Sequence, residues 1–137
     1  MDNELFQTFI AVDDHDKALA FYRDAVGLEV RNDVGYESMR WVTLGAPSQP
    51  GIDIVLEPAV GDPAAAEEDK EAAARLLSRG LLRAVVFRTD DVDAAFEQIR
   101  ASGAVVLQEP TDQGWGVRDC AFRDPAGNMV RFSRPLG

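Results

Sequence analysis

The sequence holds one cysteine, Cys120, and one histidine, His15. A lone cysteine allows no intramolecular disulfide and no cysteine-cluster metal site. Its neighbours Val117, Ala121 and Phe122 give it the part of a small buried apolar residue rather than a nucleophile. Basic residues are scarce: 14 Lys and Arg against 24 Asp and Glu, for a net charge of −10. That balance argues against a nucleic-acid backbone as partner and against an anionic membrane surface. A field of this sign steers cations inward, although acidity also serves solubility. No apolar run approaches membrane-spanning length and no basic segment with an apolar core opens the chain, so the cytoplasm is the expected location.

What is present suits one globular domain over residues 1–137, with 46% hydrophobic and 28% charged residues. Residues 5–12 form a short apolar run that reads as a strand buried on both faces. Asp13, Asp14, His15 and Asp16 offer a helix cap, with acids where the helix dipole favours them. Apolar residues then recur at helical spacing over 17–26, and Gly27 ends that helix. Strands follow at 28–31, 37–44 and 52–57, with a turn expected at 32–35 and a loop at 46–51.

The second half repeats this order. Residues 81–89 read as a strand, Asp90 and Asp91 cap a helix, and Ser102 and Gly103 end it. A strand at 104–107 precedes a loop at 109–114, and two strands flank Asp124-Pro125-Ala126-Gly127-Asn128. Pro125 sets φ for a turn corner, and Gly127 and Asn128 tolerate positive φ. The fold class is therefore α+β, with two βαβββ modules at 4–58 and 81–135. Between them, 62–80 reads as a connector helix with Pro63 in its first turn, Gly80 at its end, and Leu76, Leu77, Leu81 and Leu82 available to pack inward.

Two such modules resemble the vicinal oxygen chelate superfamily of glyoxalase I, extradiol dioxygenases and bleomycin- and mitomycin-binding resistance proteins. Residues 8–30 are similar to its first strand and its helix with Phe-Tyr and Gly-Leu, here Phe21-Tyr22 and Gly27-Leu28. Residues 122–132 are similar to its Asp-Pro-x-Gly-Asn turn. The resemblance implies sheets curled into half-barrel cups with helices on the outer face. It also implies four metal-ligand positions, which fall on Gln7, Val55, Ala84 and Arg131. Val55 and Ala84 have no donor atom, and Arg131 puts a permanent positive charge where a carboxylate is expected. Glu57, two residues past Val55, is a conceivable substitute, while His15 lies outside the cup as a capping or solvated residue. No metal and no other cofactor is expected.

Alternation along the strands proposes what lines the cup: Gln7 and Phe9, Glu57, Arg88 and Arg131 among others. Trp115 between glycines and Trp41 in the third strand are candidates to stack on a planar or cationic ligand, against the alternative of core or dimer packing. Glu57 is expected to face Arg131 as an ion pair, structural or able to exchange partners with a ligand. The ligand-binding set is thus Gln7, Phe9, Trp41, Glu57, Arg88, Trp115 and Arg131. Whether the chain is an enzyme is left open by the residues. The resemblance favours a metal-free binding protein of the antibiotic-resistance type, with a small-molecule ligand at the interface of a homodimer. The alternative is an enzyme of the glyoxalase or dioxygenase type, acting on a small oxygenated metabolite through an atypical or missing metal site.

Overall fold

The computed structural model describes residues 1–137 and contains two four-stranded sheets of identical topology. In the first, β1 (Gln7–Ala11) lies parallel to β4 (Asp53–Glu57), followed by antiparallel β3 (Met39–Gly45) and β2 (Glu29–Tyr36). In the second, β5 (Ala84–Arg88) lies parallel to β8 (Met129–Pro135), followed by antiparallel β7 (Val117–Arg123) and β6 (Val105–Asp112). The orders β1-β4-β3-β2 and β5-β8-β7-β6 are the same, so the repeat read from the sequence is a repeat of structure. Both sheets are open rather than closed into a barrel.

Helix α1 starts at His15–Leu19 on an Asp14 cap, whose carboxylate accepts from the Asp16 and Lys17 amides. It continues as a π-helical stretch, Ala20–Ala25. The wider turn brings Phe21, Tyr22 and Ala25 all to the buried side. In the second module α3 (Val92–Ala101) buries Val92, Phe96 and Ile99, with Asp91 as its cap. One core of 18 residues joins both helices to one face of both sheets, including Ile10, Leu44, Phe122 and Phe132. The other face of each sheet, the cup face, carries neither of these helices, and is covered only at the end of β1, where Leu77 packs on Ala11.

Four sequence expectations shift. Residues 32–35 belong to β2 instead of a turn, since a bulge after Val30 keeps them paired with β3 and Arg40 clasps Asp33 at 2.8 and 2.9 Å. The turn falls at Glu37 and Ser38, where Glu37 takes φ 55°. The expected loop at 109–114 is strand as far as Asp112. Residues 5–12 are buried on one face only, since Ile10 and Val12 are in the core while Phe9 is 41% exposed. The connector helix α2 is Glu67–Ser78, shorter than 62–80, because Asp62 closes its own turn on the Ala64 and Ala65 amides. Leu77 is its one buried residue, whereas Leu76 and Leu81 are exposed.

The two stretches that carried the family resemblance meet in space. Tyr22 donates to Asp124 Oδ2 at 2.5 Å across 102 residues of chain. Asn128 Nδ2 donates to the Ala11 carbonyl at 2.8 Å and to Asp124 Oδ2 at 2.9 Å. Gly127, at φ 125°, sits so close to α2 that a Cβ there would stand 2.1 Å from the Leu77 carbonyl oxygen. The β7–β8 turn therefore fastens α1, β1 and α2 together. Tyr22 is fully buried, and its hydroxyl pKa is pushed far up by burial and by the Asp124 carboxylate. A raised acid of this kind leaves stability untouched below the unfolded tyrosine value of about 10 and removes it above, by about 1.4 kcal/mol per pH unit. We expect urea midpoints to fall steeply above about pH 10, and expect Tyr22→Phe, less stable at neutral pH, to lose most of that slope, the buried Cys120 thiol, raised to about 11, keeping a share of it up to that pH. An unchanged slope in Tyr22→Phe would assign the alkaline transition elsewhere.

Candidate functional site

Strand register defines the cup face residue by residue, because paired residues project to the same side. In the first sheet Gln7, Phe9 and Ala11 pair with Asp53, Val55 and Glu57. Val55 pairs with Thr43 and Trp41 with Val34, which adds those residues to the same face. Phe9 and Trp41 are 41% and 36% exposed, so both present aromatic surface on the open face. Asp53 is neutralised by Arg31 at 2.8 Å, and Arg31 also ties down the Ile52, Ala46 and Gln49 carbonyls.

In the second sheet Ala84, Val86 and Arg88 pair with Met129, Arg131 and Ser133, which pair in turn with Arg123, Ala121 and Asp119. Arg131 is therefore on the cup face, and its partner is not Glu57. Its Nη1 lies 3.1 Å from Asp119 Oδ2 and donates to Gln108 Oε1 at 3.0 Å. Asp119 Oδ1 accepts from Gln108 Nε2 at 2.8 Å and from Gln113 Nε2 at 3.0 Å. Burial pushes the Asp119 pKa up, but the Gln113 and Gln108 hydrogen bonds and the Arg131 charge outweigh it and hold the carboxylate below its usual range. The expected Glu57–Arg131 pair is thus replaced by a network inside one hairpin and its neighbour β6. Physically, a guanidinium reaches a carboxylate one diagonal away on the adjacent strand before it reaches across to another sheet. Glu57 sits instead beside Gly61.

The remaining candidates are dispersed. Trp115 stands in the turn between β6 and β7 and is 73% exposed. Arg88 is exposed at the end of β5, where it also borders a crevice of about 450 Å³ against α3 on the helix side. His15 lies outside the cup, with Nε2 3.3 Å from the Leu56 carbonyl oxygen. Cys120 is buried on the helix face and its thiol is pushed up to about 11 by burial, which makes it inert.

The four metal-ligand positions that the resemblance implies do not fit an ion here. Gln7 offers one amide oxygen, Val55 is a fully buried hydrocarbon, Ala84 has no donor, and Arg131 is a cation already paired with Asp119. No group of three His, Cys, Asp or Glu side chains is placed to hold a metal. What the cup face offers is aromatic surface at Phe9 and Trp41, and one braced guanidinium.

Residues missed from sequence are Asp119, Gln108 and Gln113. The signal was available: a turn over 124–128 sets Arg123 opposite Met129, and counting back in twos puts Ala121 and Asp119 on the face of Arg131.

Comparison with known proteins gives a consistent picture. Residues 4–132 match the model of the Glyoxalase/Bleomycin resistance protein/Dioxygenase superfamily. The uncharacterized protein YurT of Bacillus subtilis is 34% identical over 91% of this chain and 94% of its own. The crystal structure of UcmS2 superposes with a TM-score of 0.87 at 32% identity, covering 97% of this chain and 98% of that one. That of TnmS3, an antibiotic binding protein from Streptomyces sp. CB03234, superposes with a TM-score of 0.74 at 27% identity, covering 98% and 97%.

Proposed function

The chain belongs to the glyoxalase/bleomycin resistance protein/dioxygenase superfamily, and from that footing we propose that it is a small-molecule-binding protein, holding a planar ligand against its cup face without a metal. The observation that carries this reading is the cup face itself. Phe9, Trp41, Val34 and Tyr36 are exposed on the first sheet and Val86 and Val105 on the second, whose cup face also presents a guanidinium where metal-dependent relatives place a ligand. An exposed apolar face of this extent asks for a cover. We propose a second copy of the chain, in a C2 homodimer, with the ligand between the two cups and Trp115 of the β6–β7 turn at its margin. The likeness to TnmS3, an antibiotic binding protein, supports sequestration of an antibiotic as the biological role.

The test is titration with planar antibiotics, followed by tryptophan fluorescence. Saturable quenching without chemical change of the ligand is the expected result. Trp41→Ala should weaken binding by about fivefold, the size of a stacking contribution near 1 kcal/mol, while light scattering reports a dimer at micromolar concentration. Metal-dependent turnover of a thiol adduct or a catechol would replace this reading with the enzymatic one.

A further inference from the structure

Taking the ligand-binding reading as its basis, we infer that the ligand carries an acceptor oxygen on its aromatic ring system, a carboxylate, phenolate or ring carbonyl, gripped by the unspent donors of Arg131. The same arrangement selects against planar cations, although the chain as a whole is strongly acidic.

The first ground is the distribution of charge. The chain carries −10 overall, yet the cup face of the second sheet holds Arg88, Arg123 and Arg131 against a single acid, Asp119. Arg123 is turned to the Gly127 carbonyl at 2.7 Å. Asp119 is not available to a cation from solution: its side chain is 2% exposed, and both oxygens are occupied, by the two glutamines on one and Arg131 on the other. On the first sheet's cup face Asp53 is likewise spent on Arg31, while Glu57, which makes no ion pair, stands at the end of β4 beside Gly61.

The second ground is the donor inventory of Arg131. A guanidinium has five N–H groups in a rigid plane and no acceptor. Nη1 is committed to Gln108 and Asp119. Nη2 lies 3.7 Å from the Met129 sulfur, a weak acceptor. Nε and the second Nη2 hydrogen have no partner in the protein. The side chain is 24% exposed, so those donors meet the cup surface while the charge stays partly shielded from water.

The third ground is rigidity. Gln108 accepts from Arg131 and donates to Asp119, and Gln113 fixes the other side of that carboxylate, so the plane of the guanidinium is set before any ligand arrives. A pre-oriented fork binds with less loss of side-chain freedom than a mobile lysine. The acidic surface repels anions at long range, but salt screens that field beyond about 8 Å, whereas Arg131 would act in direct contact.

Calorimetric titration of the full chain with naphthalene-2-carboxylate and with naphthalen-2-ylmethylammonium tests this, since the two probes share a ring and differ in the polar group. The carboxylate is expected to bind at least tenfold more tightly. Arg131→Lys, which keeps a cation beside Asp119 but loses the fork, should reduce that preference severalfold. The double variant Arg131→Gln with Asp119→Asn, which leaves no orphaned charge, should abolish it. Equal or tighter binding of the ammonium overturns the inference and leaves the binding role standing. A preference that survives in both variants overturns Arg131 as the anchor. If neither probe binds, the inference falls together with the binding role.

Discussion

Asp124→Ala is expected to cost at least about 4 kcal/mol, against the roughly 5–15 kcal/mol total of a domain this size. The carboxylate accepts five hydrogen bonds. Oδ1 receives the Ala126, Gly127 and Asn128 amides at 2.9–3.0 Å, and Oδ2 receives the Tyr22 hydroxyl and Asn128 Nδ2. Asp124 is 4% exposed, so alanine leaves these donors buried without a partner and without easy access to water. A hydrogen bond to a charged group contributes about 1.5–3 kcal/mol, and an orphaned buried donor costs about 1–3 kcal/mol. The terms are not additive, because the three amides belong to one turn that can rearrange together. Even so, the loss loosens the joint between α1, β1 and α2 and removes more than one contact's worth. Asp124→Asn should be milder, near 2 kcal/mol, since its carbonyl oxygen can still cradle the three amides and its NH2 can donate to the Tyr22 hydroxyl, although it stands donor to donor against Asn128 Nδ2. Urea denaturation followed by circular dichroism measures both. A loss under about 1.5 kcal/mol for Asp124→Ala would sink the idea that this turn is a structural joint.

That joint explains why the two stretches most legible in the sequence were the ones that named the family and said least about the ligand. Phe21-Tyr22 and Asp124–Asn128 are turn and helix chemistry, local and strongly patterned, and they proved to be bonded to each other. The repeat, the caps at Asp14 and Asp91, and the inward and outward faces of β1, β5 and β8 were legible for the same reason: they follow from short-range rules of propensity and alternation. The misreadings all needed information from a neighbour. Asn32 to Gly35 look like a turn in isolation, but β3 pairs with them and Arg40 holds Asp33, so tertiary pairing overrides turn propensity. The ligand positions implied by the family resemblance point Arg131 toward Glu57 on the other sheet. Hairpin register alone points to Asp119. For Trp41 alternation leaves core packing and ligand stacking both open, and its neighbours Val42 and Leu44, which face the helices, put it on the open side.

Removing one member of the Arg131–Asp119 pair should be far more damaging than removing both. Arg131→Ala leaves Asp119 ionised, buried to 2% exposure and short of one partner, for an expected loss of about 3–5 kcal/mol. The double variant Arg131→Met with Asp119→Asn removes the charges together and keeps an amide for the Gln108 and Gln113 side chains, so it should lose no more than about 1.5 kcal/mol. The pH dependence supplies an independent sign. A carboxylate held below its unfolded value contributes stability that is present above about pH 4 and is lost as pH falls further. Wild-type protein should therefore lose stability below about pH 4 more steeply than the double variant does, and Arg131→Ala should be partly rescued at low pH, where protonation relieves the stranded charge. Equal losses from the single and double variants would mean that Asp119 is hydrated in solution and that Arg131 is not braced by it. If the asymmetry is observed, the guanidinium is held in place by a charge it cannot leave, and whatever binds in the cup meets it in a fixed orientation.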